Sequence, residues 1–287
     1  MIDRVLAVVP TYRPDSEELV SLVVSLIAQT DGVVVSDDAS PCTADDPLRA
    51  ASAAGAQVVR HDRNAGIARS LNAGLARAAE LGMDWLLTVD QDSVVPAGYT
   101  TDLLAVAVAA QDVLGPAGVG AVAAGSIDDA SGPLSYPAQS AGGVLVTHEV
   151  IQTGTLWSVI ALLAVGGFDE RLAIDAVDAA ACLHLREAGY HVVLAPGVAI
   201  GHRVGSGRQV RVLGRSVLAS GHSPERRTTM VRNRLRLFPA EFAQSPTHAL
   251  RTLRRIAMST ALAVTVEDHR WAKAKASARG LFPAKHR

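Results

Sequence analysis

The sequence contains few cysteines and few aromatic residues. Cys42 and Cys182 are the two cysteines, and such a pair provides neither a disulfide framework nor the spacing of a metal site. This excludes the class of small, disulfide-stabilised secreted domains and makes reducing cytoplasm the expected compartment. Aromatic residues account for 4% of the 287 residues, so alanine, valine and leucine must provide most of the packing.

The chain also lacks an apolar run long enough to cross a membrane. The two best candidates, residues 156–165 and 256–266, are shorter than the roughly 20 residues that a spanning helix needs. Residues 1–4 lead directly into a strand-like apolar run, so we expect no signal peptide. These absences favour a cytoplasmic protein over an integral membrane protein.

Two common phosphate-binding patterns are absent as well. No G-x-G-x-x-G follows the first apolar run, and G-x-x-x-x-G-K-S/T occurs nowhere in the chain. Both patterns place backbone N–H groups around the phosphates of a nucleotide. Their absence argues against a dinucleotide-dependent enzyme of the common type and against a P-loop NTPase.

The composition is globular, with 49% hydrophobic and 19% charged residues, but the charge is unevenly distributed. The net charge is −1, yet residues 1–199 hold nine basic and 24 acidic residues, whereas residues 200–287 hold 18 basic and four acidic ones. A basic C-terminal part favours an anionic partner such as membrane phospholipid, a lipid phosphate or nucleic acid. Pairing of its arginines with acidic residues of the same chain is an equally open alternative.

Strand-like apolar runs alternate with stretches of helical periodicity. This alternation is typical of an α/β fold with a doubly wound, mostly parallel sheet flanked by helices. Ligands of such sheets bind at the carboxyl ends of the strands. We predict strands at residues 4–9, 32–35 and 85–89, helices starting near residues 15 and 70, and a third helix–strand pass over residues 47–60.

The predicted strand at residues 85–89 is followed by two acids, Asp90 and Asp92. Side chains two residues apart on a strand point the same way, so both carboxylates project together if the strand geometry continues. Carboxylate oxygens suit Mg²⁺ or Mn²⁺, which commonly share their ligands with substrate phosphates. Taken alone, such a pair is more typical of a solvent-exposed strand end.

Polar residues also follow the first two predicted strands. Pro10, Thr11 and Tyr12 end the first strand, and Asp37 and Asp38 end the second. Carboxylates at this position accept hydrogen bonds from a nucleotide base or from ribose hydroxyls. A locally closed Asp-rich turn is the alternative, and it applies more to Asp37 than to Asp38.

A glycine-containing segment precedes the helix predicted at residues 70–81. It includes Arg63, Asn64, Gly66 and Arg69. Backbone N–H groups at such a helix start, together with arginine side chains, favour an anion such as a diphosphate. An ordinary helix N-terminus is the alternative.

Together, these segments resemble a known family. In order and spacing they are similar to the start of a family 2 glycosyltransferase with the GT-A fold, and D-Q-D-S and N-x-G-I-A resemble the bacterial rhamnosyltransferase branch in particular. Their specificity lies in the combination of motifs. The segments are V-P-T-Y at 9–12, D-D-A-S at 37–40, N-A-G-I-A-R-S-L-N-A-G at 64–74 and L-T-V-D-Q-D-S at 87–93.

The resemblance continues to about residue 237. Gly154 and Thr155 lie where the family has a small-residue turn that enters a helix near the donor and acceptor sugars. G-G-F-D-E at residues 166–170 precedes A-I-D-A-V-D at 173–178, and I-G-H at 200–202 completes the pattern.

The chain departs from the family pattern at two positions. Ala173 stands where the family has an aromatic residue, and Ala180 stands where it has a second acid, two residues after Asp178. These differences bear on recognition of the acceptor or the sugar more than on the fold.

The resemblance implies a metal-dependent, inverting transfer of a sugar from a nucleoside diphosphate. It makes Asp178 the general base, with Asp175 as the second candidate. It implies that Asp92, Asp90 and His202 bind Mg²⁺ or Mn²⁺. It implies that the nucleotide sugar contacts the following residues: Pro10, Thr11, Tyr12, Asp38, Asn64, Gly66, Arg69, Asp90, Gln91, Gly154 and Thr155.

The implied donor is dTDP-L-rhamnose first, and UDP-galactofuranose or another UDP-sugar second. The implied acceptor is a growing cell-surface glycan or a polyprenyl-linked precursor, handled on the cytoplasmic side. A nucleotidyltransferase and a catalytically inactive sugar-nucleotide-binding protein remain alternatives from other classes. The expected GT-A catalytic domain covers residues 1–237, with nucleotide binding at about 1–95 and acceptor binding at about 96–237, before a helical basic extension at 238–287.

Apolar residues recur at helical spacing inside the basic extension, beside Arg251, Arg254 and Arg255. One interpretation is an amphipathic helix lying on the inner face of the cell membrane, and the other is a helix packed on the catalytic domain through this stripe. Nucleic-acid binding is not expected, because the segment has no interleaved aromatic residues. The stripe consists of Leu250, Leu253, Ile256, Ala257 and Ala261.

Overall fold

The computed structural model describes residues 3–129, 132–202, 208–212, 215–219 and 221–282. The chain forms two compact units, residues 1–202 and 203–287. The first unit therefore ends at His202 and not near residue 237, which lies inside a helix running from Pro224 to Gln244. That helix packs with the two helices that follow it, so its residues belong together in the second unit.

The first unit alternates strands and helices. Its described strands are β1 (Val5–Thr11), β2 (Gly32–Asp37), β3 (Gln57–Arg60), β4 (Trp85–Thr88), β5 (Val119–Asp129), β6 (Gly132–Ser135), β7 (Gln139–Ala141), β8 (Val144–Thr147), β9 (Thr155–Ser158) and β10 (His191–Gly201). Its described α-helices are α1 (Ser16–Ile27), α2 (Asp45–Ala53), α3 (Ile67–Glu80), α4 (Tyr99–Leu114), α5 (Val159–Ala164) and α6 (Val177–Glu187). The strands and helices predicted within the first 90 residues are confirmed, with shifts of a few residues at their ends.

The strands form one mixed sheet in the order β3–β2–β1–β4–β9–β5–β10–β8–β7, with β6 beside β5. The neighbours β3, β2, β1 and β4 are parallel, β9 is antiparallel to both β4 and β5, and β10 is parallel to β5. Strands β1 to β5 and β10 therefore run the same way, and their carboxyl ends share one edge, where β9 begins. The predicted α/β architecture with a mostly parallel sheet is confirmed.

Helix α1 shows how the sequence builds these layers. Asp15 is its N-cap, and one carboxylate oxygen accepts hydrogen bonds from the backbone N–H groups of Glu17 and Glu18. Leu19, Leu22, Val23 and Leu26 follow at helical spacing and are buried against the sheet core. The aliphatic side chains predicted to dominate the packing do so here.

Helix α3 crosses β1 at very short range, and a glycine makes this possible. A Cβ at Gly74 would lie 2.5 Å from the Cβ of Val8, a fully buried residue of β1. Gly74 has an ordinary helical conformation, so this glycine serves close packing and not an unusual backbone angle. The close approach fixes the height of α3, and of the loop before it, over the sheet.

We expect Gly74→Ala to destabilise the protein although alanine is the better helix former. The helix gains about 1 kcal/mol in propensity, but the overlap with Val8 costs about 1–3 kcal/mol. Urea unfolding measures the balance, with Val8→Ala and the double variant completing a thermodynamic cycle. The double variant should be more stable than the sum of the two single changes predicts, and simple additivity would contradict this packing argument.

The second unit contains a hairpin and three helices among its described residues. The strands β11 (Arg208–Val212) and β12 (Arg215–Ala219) pair antiparallel, and the helices α7 (Pro224–Gln244), α8 (Pro246–Thr265) and α9 (Arg270–Gly280) contact one another. The apolar stripe predicted on α8 is not its buried face, because Leu250 and Leu253 are exposed, while Ala249, Thr252 and Ala263 are buried. Along the described chain, the helices are all too short or too polar to span a bilayer.

Candidate active site

The residues predicted for the site converge on the carboxyl edge of the sheet. Tyr12, Asp38 and Asp90 follow the ends of the parallel strands β1, β2 and β4, and His202 follows β10. Gly154 directly precedes β9, which starts at the same edge because it runs antiparallel to β4. The edge of an open α/β sheet at its strand ends is the usual ligand site, so the fold alone brings these segments together.

The loop after β4 carries the two acids in a turn, not in a strand. β4 ends at Thr88, and the backbone N–H of Ser93 donates to the carbonyl of Asp90 at 3.1 Å. Strand alternation is therefore not what brings Asp90 and Asp92 together, and this part of the prediction is wrong. The turn achieves the same proximity because it bends the loop back on itself.

Backbone pairing then brings the end of β10 to this loop. Val94 and Gly201 exchange two backbone hydrogen bonds, of 2.8 and 3.1 Å. As a result, the Nε2 atom of His202 lies 3.6 Å from Oδ2 of Asp90, and its Nδ1 atom lies 3.7 Å from Oδ1 of Asp92. Potential ligand atoms of the three residues all lie within 4.8 Å of one another.

Hydroxyl and amide groups support this cluster, and the sequence analysis does not predict this role for them. The hydroxyl of Ser93 lies 3.1 Å from Nδ1 of His202 and 2.8 Å from the hydroxyl of Thr153, which accepts the backbone N–H of Asp90 at 2.9 Å. The side-chain amide of Gln152 donates to the carboxylate of Asp90. These residues hold the cluster at a fixed geometry. Ser93 belongs to the D-Q-D-S motif, and Gln152 and Thr153 directly precede Gly154, but neither pattern indicates their supporting role.

The donor atoms of Asp90, Asp92 and His202 suit a divalent metal. All three side chains are partly exposed, so a metal and a ligand can reach them. Two carboxylates are hard oxygen ligands, and the imidazole favours Mn²⁺ over Mg²⁺, because Mg²⁺ takes oxygen ligands almost exclusively. The contact of His202 with Ser93 is the kind of outer hydrogen bond that orients a ligating imidazole.

The ends of β1 and β4 are joined by Gln91. Its side chain accepts the backbone N–H of Tyr12 at 2.9 Å and donates to the carbonyl of the same residue at 3.3 Å. The amide of Gln91 thus serves the protein backbone, and the ring of Tyr12 remains exposed at the edge. Pro10 and Thr11 are buried, so they form the floor of this region and only Tyr12 offers a side chain to a ligand.

Asp38 organises the loop before α3. Its two carboxylate oxygens accept the backbone N–H groups of Ala65 and Gly66, both at 2.8 Å. Asp37 is fully buried, where one oxygen accepts the N–H of Ser40 at 3.0 Å, so the locally closed turn applies to it as expected. Asp38 is still at the sheet edge, but its first role in this structure is to fix the loop.

The loop that Asp38 holds is open toward the sheet edge. Asn64 is exposed, and Arg69 in the first turn of α3 lies 3.4 Å from the exposed Asp62. The N-cap of α3 is Gly66, which provides no side-chain cap for the first N–H groups of the helix. A positive helix end and a nearby guanidinium are a suitable environment for an anion.

The same loop touches the segment that leads into α6. A Cβ at Gly66, whose φ is +94°, would lie 2.6 Å from the carbonyl carbon of Ala173. Ala173, Asp175 and Ala176 all have positive φ, between 55° and 64°, which is strained for residues other than glycine. Asp175, the second candidate for the base, therefore lies outside α6 and does not share a helix face with Asp178.

Asp178 lies in the first turn of α6 and is half-buried. Helix α6 packs on β10, and only three residues separate its last residue from the start of that strand. The helix therefore runs antiparallel to β10, and its first turn points toward the carboxyl edge. One oxygen of Asp178 accepts the N–H of Ala179 at 2.8 Å.

Burial, with added negative charge from Asp178 and Glu149, raises the pKa of the Cys182 thiol to about 12, so that thiol stays protonated.

Asn72 of α3 joins the two halves of the first unit. Its amide donates to the carbonyl of Phe168 and to the carboxylate of Glu170, both at 2.9 Å, and its oxygen accepts the N–H of Phe168 at 2.9 Å. Asn72, a residue of the N-A-G-I-A-R-S-L-N-A-G motif, therefore holds the G-G-F-D-E motif in place through hydrogen bonds. Neither motif showed by itself that it binds the other.

The turn at residues 152–155 is a structural element, held by hydrogen bonds within the protein. It enters β9 and not a helix, contrary to the expectation. Gly154 has φ +72°, and its carbonyl accepts the hydroxyl of Tyr99 at 2.5 Å. Thr155 is fully buried and its hydroxyl donates to the carbonyl of Ile151 at 2.7 Å, so its side chain holds the turn and is not available to a ligand.

Known proteins resemble this chain in sequence. Residues 6–123 match the family model described as Glycosyl transferase family 2. The chain is 26% identical over 250 residues to the dTDP-rhamnosyl transferase RfbF of Shigella flexneri, covering 81% of this chain and 79% of that protein.

Solved structures of similar fold are known. One is S. aureus TarS in complex with UDP-GlcNAc, with a TM-score of 0.58 and 15% identity, over 95% of this chain and 79% of that one. Another is GalNAc-T7 with UDP, GalNAc and Mn²⁺, with a TM-score of 0.57 and 14% identity. The match covers 80% of this chain but only 47% of GalNAc-T7. At these identities the likeness concerns the fold, which is the GT-A fold of glycosyltransferases.

Proposed function

We propose that this chain, whose residues 6–123 match the family model of Glycosyl transferase family 2, is a glycosyltransferase that moves a sugar from a nucleoside diphosphate to a hydroxyl group with inversion at the sugar carbon. The observation that carries the proposal is the cluster of Asp90, Asp92 and His202 at the carboxyl edge of the sheet. Two carboxylates and an imidazole can hold a divalent metal, and such a metal is suited to neutralise the charge of a diphosphate leaving group.

In this proposal, Asp90, Asp92 and His202 hold Mn²⁺ or Mg²⁺ against the diphosphate. When bound, the metal neutralises negative charge that develops on the leaving group. The protein keeps the three side chains in place through Ser93 and Thr153. The Mn²⁺ in the structure of GalNAc-T7, a protein of similar fold, supports this choice of metal.

The nucleotide side of the site is proposed at the ends of β1 and β2. The exposed ring of Tyr12 offers a face for stacking on a base. The carboxylate of Asp38 accepts the backbone N–H groups of Ala65 and Gly66, and its remaining lone pairs can accept a hydrogen bond from a base or a ribose hydroxyl. Arg69 and the uncapped start of α3 contribute positive potential for the phosphates. Asn64, exposed in the same loop, is a further polar contact.

Asp178 is proposed as the base that takes the proton of the attacking hydroxyl. Its carboxylate is partly exposed in the first turn of α6, so the hydroxyl of an acceptor can reach it. A single base without a second nucleophile fits direct displacement, which inverts the sugar carbon. Ala180, where the family has another acid, is fully buried, so in this chain that position faces the core.

We propose dTDP-L-rhamnose as the donor, on the strength of the similarity to RfbF. UDP-galactofuranose or another UDP-sugar is the second choice, since TarS was crystallised with UDP-GlcNAc. The proposed acceptor is a hydroxyl of a cell-surface glycan or of a lipid-linked precursor on the cytoplasmic side of the membrane. The acceptor half of the site is proposed to include the segment 166–178.

A thermal-shift screen of nucleotide sugars with and without Mn²⁺ tests the proposal. dTDP-rhamnose at 100 times its Kd should stabilise the protein by about 2.7 kcal/mol, which corresponds to a Tm increase on the order of 5 °C. Asp92→Asn should remove the part of the shift that depends on Mn²⁺. Asp112→Asn, an equal charge change on the exposed side of α4, should leave it intact.

Two results would count against this function. One is the absence of any metal-dependent shift with dTDP- and UDP-sugars alike. The other is an equal loss in Asp92→Asn and Asp112→Asn, which would mean that overall charge and not the cluster controls binding. A shift with UDP-sugars alone would keep the function and replace the proposed donor.

A further inference from the structure

A cavity of about 180 Å³ lies between α7 and α8 in the second unit. Residues of each helix line it at helical spacing, so one face of α7 and one face of α8 meet there. Arg227, Met230, Val231 and Arg234 come from α7. Thr252, Arg255, Ile256, Ser259 and Thr260 come from α8.

The lining is basic and rich in hydroxyl groups. Three arginines and three residues with hydroxyl groups are among the nine described residues that line this small space, and none of those nine is acidic. Arg234 lies 3.7 Å from Glu241, which offsets part of its charge from outside the lining. Arg255 is exposed and donates to Thr252 at 3.3 Å. The cavity therefore combines arginine and hydroxyl donors with a larger apolar surface.

Arg227 is the most unusual residue of the cavity. It is only 2% exposed, and one terminal nitrogen donates to the carbonyl and the hydroxyl of Ser259, at 2.9 and 3.2 Å. Its Nε has no hydrogen-bond partner within the part of the chain that the structure describes. Burial lowers the pKa of Arg227 from its ordinary value, and Glu267 offsets this only in part. Burying a charged donor without a partner is costly, and an anion in the cavity would relieve that cost.

We propose that this cavity binds the phosphate or diphosphate group of a ligand that also carries an apolar part. Guanidinium groups pair with phosphate oxygens through two parallel hydrogen bonds, and several hydroxyl donors match a group with three or more acceptor oxygens. A carboxylate offers only two oxygens and one charge. Met230, Val231 and Ile256 form an apolar wall beside the arginines, which suits the hydrocarbon part of a phosphate ester.

Calorimetric titration of the full chain with inorganic pyrophosphate tests the site. The titration is carried out in EDTA, which removes metal-dependent diphosphate binding at the sheet edge. Arg255→Gln should weaken binding about tenfold or more, because a charge-assisted hydrogen bond is lost. Arg254→Gln is the matched control, since the neighbouring residue is exposed on the same helix but does not line the cavity.

Equal weakening by Arg254→Gln and Arg255→Gln would overturn the proposal in favour of a diffuse basic surface. Absence of pyrophosphate binding to the wild-type chain would also overturn it. Comparison of dodecyl phosphate with inorganic phosphate then separates the two sources of the ligand. Tighter binding of the alkyl ester that is lost in Arg255→Gln identifies a lipid phosphate, and equal affinities identify a free phosphate compound. The test requires no sugar transfer, so it is independent of the proposed function.

Discussion

Asp178→Asn is expected to lower kcat by about 10²–10⁴, the range for loss of a general base, while binding of the donor stays close to that of the wild type. The amide has the shape of the carboxylate, and its oxygen retains the hydrogen bond from the N–H of Ala179. Its inability to accept a proton is therefore the main change. Transfer or hydrolysis of dTDP-rhamnose gives kcat, and titration with the donor in Mn²⁺ gives its Kd.

Asp175→Asn is the matched comparison for this prediction. Asp175 lies three residues earlier but has φ +64°, outside α6, and asparagine tolerates this conformation well. We expect a smaller loss of activity than for Asp178→Asn. The opposite order would transfer the role of base to Asp175. A wild-type chain that binds dTDP-rhamnose but turns over none with any acceptor would support the catalytically inactive alternative.

The cluster of Asp90, Asp92 and His202 shows what the sequence predicts and where prediction stops. Asp90 and Asp92 were recognised from their place after an apolar run, but strand alternation was the wrong reason for their proximity, because β4 ends at Thr88. The reason is a turn in which the backbone N–H of Ser93 donates to the carbonyl of Asp90. Backbone pairing between Val94 and Gly201, more than 100 residues apart, then brings His202 to this turn. Such pairing leaves no local pattern in the sequence, so Ser93 was not recognised as a support for His202.

Local patterns predicted the sheet edge well because each strand end is a local feature. Local patterns do not predict contacts between loops. Asp38 was expected at a nucleotide, yet it also holds the N–H groups of Ala65 and Gly66. On α8, hydrophobicity pointed to Leu250 and Leu253, whereas the buried face includes Thr252. In that unit small and polar residues line the helix contacts, and hydropathy is a poor guide to which face is inside.

The contact between Gly66 and Ala173 gives the second large prediction, for Gly66→Ala. The new Cβ would overlap the backbone of Ala173, which no rotamer change can relieve, and it would also strain a residue with φ +94°. Positive φ costs about 1–2 kcal/mol and overpacking about 1–3 kcal/mol, so we expect a loss of about 2–5 kcal/mol in the free energy of unfolding. Urea denaturation measures it.

Activity should fall with Gly66→Ala even where the protein remains folded. Ala173 lies five residues before Asp178, and a displacement of about 1 Å at a catalytic group costs on the order of 10²-fold in rate. Gly82→Ala is the matched control, because Gly82 also has positive φ but a Cβ there would meet nothing within 4 Å. It should lose about 1–2 kcal/mol and keep the wild-type kcat/KM. If Gly82→Ala loses as much stability and activity as Gly66→Ala, backbone strain alone explains both, and the Asp38 loop does not position Asp178.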